Sequence, residues 1–429
     1  MHPMVKPALR RAWRSLQCVQ FGITPAHAVV MSPVDAATGT LLGLLDGTRG
    51  TELLRAEARA LGLPDGRLEA FLGRLAAAGL LADASAGRPG KAGPSAGAVD
   101  TALDPLRADL SSLSVVHPEP DGATRTLDAR RALRVQVRGA GRVGATVAAL
   151  LSAAGVGTVE VLDSGRVEPW ETAPGGLPSE AVGERRATAA RRLVRRWARG
   201  AGHAAPTGGT TGEAGGTTGA AERTGRTGRT DRTGRTDRTG YARASGTSGV
   251  PGGSRSGDGH GPPGLSLVVV TPRDGLGAYV PDPVPAEPWI ATGTPHLYAG
   301  VLEATGTVGP LVLPGGTACA RCLQETRTDR EPDRPRLLAQ WRSGAPHPLP
   351  ACDLGLATAV AGLAAAHALA FLDGDLPAST GTRWEVSLPL SEWRAERLRP
   401  HPACPCGAAR REEGERVSAA GGTQDTMAG

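Results

Sequence analysis

The spacing of apolar positions changes several times along this chain, and each change marks an element. Two short extended segments, Cys18 to Phe21 and Ala28 to Met31, are joined by the turn residues Gly22 to Pro25. Helical spacing follows. Leu41, Leu42, Leu44 and Leu45 form one short face closed by Asp46-Gly47. Thr51 is placed to cap a second helix carrying Leu53, Leu54, Ala58 and Leu61. Leu68, Phe71, Leu72 and Leu75 then recur at i, i+3, i+4 and i+7, with Gly79 as the stop. A two-stranded ribbon with three helices, within residues 1–83, is a winged-helix pattern.

Further on, Leu133 to Val137 reads as a strand and runs into Gly139-Ala140-Gly141-Arg142-Val143-Gly144. An Ala- and Leu-rich helix to Ala154 follows, then the turn Gly155-Val156-Gly157, and a second strand, Val159 to Leu162, ends at Asp163. Leu265 to Val270 is apolar enough for a strand buried on both faces, as in a parallel sheet. Leu354 to Leu372 lacks Asp, Glu, Lys and Arg and has the length of a membrane span. With no aromatic or basic anchors, and alone of its kind, it reads as a buried core helix, so no membrane association is expected. The pattern predicts an α/β chain: a doubly wound domain over residues 99–202 and 265–407, preceded by the small winged helix.

Between those halves the apolar pattern stops. Residues 203–264 hold no Leu, Ile, Phe, Trp or Met, and Arg223 opens an Arg-Thr-Gly or Arg-Thr-Asp repeat that returns through Arg238. Such a stretch cannot offset chain entropy by burial, which predicts a disordered insert. Residues 84–98 read as a flexible linker and 408–429 as a disordered tail. The insert's eight arginines and five acids supply half of the net charge of +6, so the charge does not point to nucleic acid. The winged helix does not either, because Asp65 and Glu69 offset Arg67 and Arg74 on its last helix. Glycine without a three-residue period excludes collagen. The basic N-terminus has no apolar run for a signal peptide, so a cytoplasmic protein is expected.

The glycine loop between strand and helix, with Asp163 after the second strand, is the dinucleotide fingerprint in its required setting. Gly139, Gly141 and Gly144 let backbone approach phosphate at a helix N-terminus, and the acid can bond a ribose hydroxyl. Asp274, beyond the carboxyl end of the later strand, is a candidate for metal–nucleotide or a plain loop carboxylate. Cys319-Ala320-Arg321-Cys322 and Cys404-Pro405-Cys406 offer the four thiolates of a structural zinc, with 81 residues between the pairs. Cys352, before the long apolar helix, is either a nucleophile at a helix N-terminus or a small buried hydrophobe, and the lack of an identifiable basic partner favours the second.

These residues, with Gly-Glu-Arg-Arg at Gly183 to Arg186 and Gly309-Pro310 and Pro314-Gly315-Gly316 before the first cysteine pair, resemble the ThiF/MoeB family, relatives of ubiquitin-activating enzymes. The resemblance implies adenylation of a carrier protein's C-terminus with ATP and magnesium, and often a homodimer. Residues 1–83 resemble the RiPP recognition element. Together with the ending His401 to Gly407, the chain looks like the leader-peptide-binding, ThiF-like partner of YcaO-type cyclodehydratases. That implies a scaffold whose chemistry belongs to its partner, with Gln20, Phe21 and Val29 as edge residues and Leu68, Phe71, Leu72 and Leu75 lining a groove for the precursor leader. The departures concern the nucleotide. Arg142 stands where active members have a third glycine, and Gly165, Glu171 and Pro174 stand where they have Asp, Asn and Arg. Arg186 best matches their triphosphate lysine, and their magnesium aspartate falls on Pro272 or Arg273 unless Asp274 replaces it. Gly139, Gly141, Arg142, Gly144, Asp163 and Arg186 are thus the cofactor-loop candidates, with Asp274 catalytic only in an active enzyme.

Overall fold

In the computed structural model, residues 1–85, 104–198, 264–343, 349–389 and 391–411 are described. The repeat insert, most of the linker and all but the first residues of the tail lie outside them. The tail's start differs from expectation, since a helical turn begins at Ala408 and that residue is buried.

The N-terminal unit has five strands: β1 (Pro3–Val5), β2 (Arg11–Ser15), β3 (Cys18–Phe21), β4 (Val29–Met31) and, after its helices, β5 (Leu81–Asp83). The helices are α1 (Ala36–Leu44), α2 (Thr51–Ala60) and α3 (Arg67–Ala77). The ribbon is three-stranded, in the order β2-β3-β4, and β1 pairs with β5. Two details correct the sequence reading. Thr51 opens α2 but does not cap it, because Gly50 is the N-cap and no side chain accepts there. β2 went unseen because all five of its residues are exposed, so its sequence carries no burial signal. Gly79, at φ +70°, does end the third helix. Val19, Phe21, Leu41, Leu54, Leu68, Phe71 and Leu75 form the unit's core.

The larger part begins with α4 (Arg107–Val116) and α5 (Gly122–Arg131). It continues through β6 (Arg134–Arg138), α6 (Arg142–Ala153), β7 (Thr158–Leu162), α7 (Arg186–Trp197), β8 (Leu267–Val270), α8 (Leu276–Tyr279) and α9 (Glu287–Thr292). It closes with β9 (His296–Leu302), β10 (Thr305–Val312), α10 (Ala320–Arg330), α11 (Arg334–Ser343), α12 (Leu354–Leu372), β11 (Thr382–Ser387) and β12 (Trp393–Arg397). One seven-stranded sheet runs β12-β11-β10-β9-β8-β6-β7. Its β7-β6-β8-β9 half is parallel and its other half antiparallel.

Alternation along β8 shows why that strand is apolar throughout. Leu267 and Val269 join α6, α7 and α12 in the main core, whereas Val268 packs with Ala286 and Trp289 on the opposite face. Both faces are covered, as in a doubly wound sheet. The order reverses between β6 and β8, so the loops after these strands meet at the switch point where such folds place ligands. α12 lays Leu356, Val360, Ala361, Ala364 and Ala368 into the same core, which accounts for an uncharged 19-residue helix without a membrane.

Candidate functional site

The glycine loop leaves β6 under tight constraint. Gly139 has φ +111°, and a Cβ there would lie 1.8 Å from the Thr271 carbonyl oxygen. At Gly144 a Cβ would lie 2.1 Å from the Gly139 carbonyl and 2.3 Å from the Thr271 hydroxyl. These two glycines are needed for the loop to cross the end of β8. Gly141 is the N-cap of α6 and has room for a Cβ, which would meet Arg273 in ordinary contact at 3.8 Å.

Asp163 follows β7 and points back at this loop. The Ala140 N–H donates to its Oδ2 at 2.6 Å, and Arg186 Nε donates to its Oδ1 at 2.8 Å. Arg186 is 6% exposed. Its remaining donors reach both oxygens of Glu171 at 3.1 and 3.0 Å and the carbonyls of Arg166 and Ser164. Burial works against its charge, but Asp163 and Glu171 outweigh that and hold its pKa above the ordinary value. Arg273 pairs with the same Glu171 at 2.5 Å. Two carboxylates and two guanidinium groups therefore neutralise one another where a nucleotide's ribose and phosphates would need free partners.

Beside this network lies a cavity of about 240 Å³, bounded by Gly141, Arg142, Glu171, Arg273, Leu349 and Cys352. That is below the roughly 300–1,000 Å³ of ordinary small-molecule pockets. Arg142, the first residue of α6, donates to the Cys352 carbonyl at 2.7 Å. Burial pushes the Cys352 thiol up, and Asp353 adds to the shift against the pull of Arg142, so the protonated, hydrophobe-like form is favoured. Asp274 is exposed and its carboxylate accepts from the Leu276 N–H at 3.1 Å, a local turn at the start of α8. Asp163, Glu171, Arg186 and Arg273 are thus engaged with one another. Glu171 and Arg273 stand at positions the family resemblance singles out, but their pairing is not legible in the sequence, since an ion pair spanning a hundred residues leaves no spacing to read.

The four cysteines do converge. Cys319 is the N-cap of α10, Cys322 lies in its first turn, and the turn His401 to Gly407 brings up Cys404 and Cys406. The Sγ–Sγ distances are 3.8 Å for Cys319–Cys322, 3.6 Å for Cys319–Cys404 and 3.6 Å for Cys322–Cys406, and all four sulfurs lie within 4.8 Å of one another. Tetrahedral Zn–S bonds of about 2.3 Å require sulfurs about 3.8 Å apart. The cluster can hold a metal ion. Hydrogen bonds with Cys322 and Cys406 push the Cys319 thiol up, and those from Cys319 and Cys322 hold Cys406 down.

The expected peptide-contact residues divide. Gln20 and Phe21 are not edge residues, because β3 is the central strand and is paired on both sides, and Phe21 is fully buried. Leu68, Phe71 and Leu75 belong to the core rather than a groove. Val29, on the edge strand β4, and Leu72 are partly buried and border that core.

A model of the ThiF family matches residues 119–203 and 282–406, so the chain carries a ThiF family domain. Among solved structures, E. coli MccB with AMPCPP and MccA aligns with a TM-score of 0.59 at 14% identity, covering 95% of this chain and 99% of that one. The microcin C7 biosynthetic enzyme MccB in complex with N-formylated MccA gives 0.59 at 13%, covering 95% and 100%. PaaA gives 0.55 at 13%, covering 92% and 99%. At such identities the likeness is one of fold, and it extends over both the N-terminal unit and the larger sheet. No curated protein matches the sequence.

Proposed function

We propose that this chain is a leader-peptide-binding, ThiF-like scaffold that presents a ribosomal precursor peptide to a YcaO-type cyclodehydratase. The observation that carries the reading is the pairing of Asp163 with Arg186, which engages the acid of the nucleotide loop; on the N-terminal sheet, among the described residues, β4 has an unpaired edge. An extended leader adds to β4 through backbone hydrogen bonds, the recognition mode that needs no catalytic group, with Val29 and Leu72 beneath it. MccB, solved in complex with N-formylated MccA, supports a peptide ligand for this architecture. Zinc at Cys319, Cys322, Cys404 and Cys406 is structural in this reading, since four protein thiolates leave no open coordination position.

Fluorescence-polarisation titration with the leader peptide encoded beside this chain's gene tests the proposal. Saturable binding that is lost on deleting residues 1–83 is expected. No binding, or binding indifferent to that deletion, overturns it.

A second reading is an adenylyltransferase, favoured by the cavity that Gly141 borders and by the backbone N–H groups at the start of α6. MccB has also been solved with ATP. ATP–pyrophosphate exchange that depends on a carrier protein and falls in Asp163→Ala supports it. Absence of exchange leaves the scaffold.

A further inference from the structure

The N-terminal sheet has a second edge, and its chemistry differs from that of β4. In the order β2-β3-β4, strand β2 pairs with β3 alone, so among the described residues no strand lies along its outer side. All five of its residues are exposed. A strand left open in this way is a template for another chain unless its side chains forbid the pairing.

Those side chains say which chain can pair there. Arg10, just before the strand, and Arg11 and Arg14 within it are exposed, and among the described residues none has a carboxylate within ion-pair distance. Arg49, Arg55, Arg59 and Arg67, by contrast, each pair with an acid of the same unit. The register sets Arg11 opposite Phe21 and Trp13 opposite Val19, both wholly buried, so Arg11 and Trp13 share the face toward α1. Arg11 Nη1 donates to the Leu42 carbonyl at 3.4 Å, and the Trp13 indole lies over Gly39, where a Cβ would meet the ring at 3.2 Å. Even so, Trp13 is 47% exposed. Uncompensated arginines keep a second copy of this strand away, because pairing would set like charges together. The same charges attract an acidic strand, and the half-exposed indole offers it apolar area beside them.

We propose that β2 is a second recognition edge, which takes an extended acidic segment of a partner protein as an added strand. Backbone hydrogen bonds hold the segment along β2, its carboxylates meet Arg10, Arg11 and Arg14, and an apolar side chain covers Trp13. This edge lies on the opposite side of the ribbon from β4 and does not depend on leader binding there.

The test uses the full chain and fluorescein-labelled, end-capped decapeptides of Thr, Val and Glu that contain no leader sequence. One twin has Gln for every Glu, a second has Lys, and a third keeps Glu but is N-methylated at alternate peptide nitrogens, which removes strand hydrogen bonds and leaves the charge. Saturable anisotropy change is expected for the acidic peptide, weakening as salt is raised. The Gln and N-methylated twins should bind at least tenfold more weakly. Arg11→Glu/Arg14→Glu should reverse the preference, so that the Lys twin binds better than the acidic peptide. Arg14→Glu alone, at an exposed position, should weaken the acidic peptide several-fold with the thermal midpoint unchanged. Val30→Glu, which places an acid on β4, should leave its binding as it was. Equal binding of the Gln or N-methylated twin, full affinity in Arg14→Glu, loss of binding in Val30→Glu, or stronger displacement by inorganic polyphosphate than by unlabelled acidic peptide would each overturn the proposal.

Discussion

The glycines of the loop answer to two different demands. Gly139 and Gly144 have no room for a Cβ against Thr271, whereas Gly141 has. Gly144→Ala is therefore expected to cost at least about 2 kcal/mol in urea unfolding, since overpacking a rigid contact costs about 1–3. Gly141→Ala should cost no more than about 1 kcal/mol, the loss of a glycine N-cap, because no neighbour occupies the space its methyl fills. His296 sets a pH dependence at the same scale. It is fully buried between Trp289 and Tyr298, and burial lowers its pKa to about 4. A base whose pKa falls on folding binds its proton more readily when unfolded. Its stabilising contribution is thus complete above pH 6.5 and is lost as the pH falls toward 4. The shift corresponds to about 3 kcal/mol at roughly 1.4 kcal/mol per unit. In His296→Phe the loss of stability between pH 7 and 4.5 should shrink by about that amount in denaturant titrations. An unchanged slope would assign the acid sensitivity to other groups.

At the scale of elements, the join between α5 and α12 is the most exacting contact. Arg130 reaches Asp373, the C-cap of α12, through two hydrogen bonds of 2.7 and 2.6 Å, and both side chains are 5% exposed. Arg130 also donates to the Ala154 carbonyl at the end of α6. Arg130→Met strands a buried carboxylate and should cost about 3–5 kcal/mol, most of it recovered in Arg130→Met/Asp373→Leu. A double-mutant cycle by chemical unfolding measures both. Nothing in the sequence announced this pair, since its partners are 243 positions apart. Legibility followed how far burial was written into local spacing. β8 was plain because both of its faces are covered. The β9–β10 hairpin was not, because its turn uses Glu303 and Ala304 at φ 49° and 59° in place of the Asn-Gly pairs that signal such turns. In the site, the loop, Asp163 and the cysteines were readable from type and spacing. Their use was not, because Glu171 and Arg273 act only through long-range pairing.

For the molecule as a whole, two tethers decide how much of the chain unfolds together. Lys6, 1% exposed, donates to the carbonyls of Ser114, His117 and Pro118 at 2.6, 3.2 and 3.0 Å, so the N-terminal unit is fastened to the end of α4 as well as by the linker. The cysteine cluster is the second tether. It closes the chain between Cys322 and Cys404 and carries a satellite core of Tyr298, Val312, Ala318 and Leu323 that is too small to persist alone. Binding energy at such a site appears as folding energy of whatever the metal encloses. Purified protein should contain about one equivalent of zinc. Chelation should then raise hydrogen exchange in α10 and residues 401–407 while leaving β6, β7 and α6 protected, since their core is built from other residues. Cys404→Ser should reproduce that pattern without chelator. Less than about half an equivalent of metal in a fully protected protein would show that sulfur packing alone holds the C-terminus.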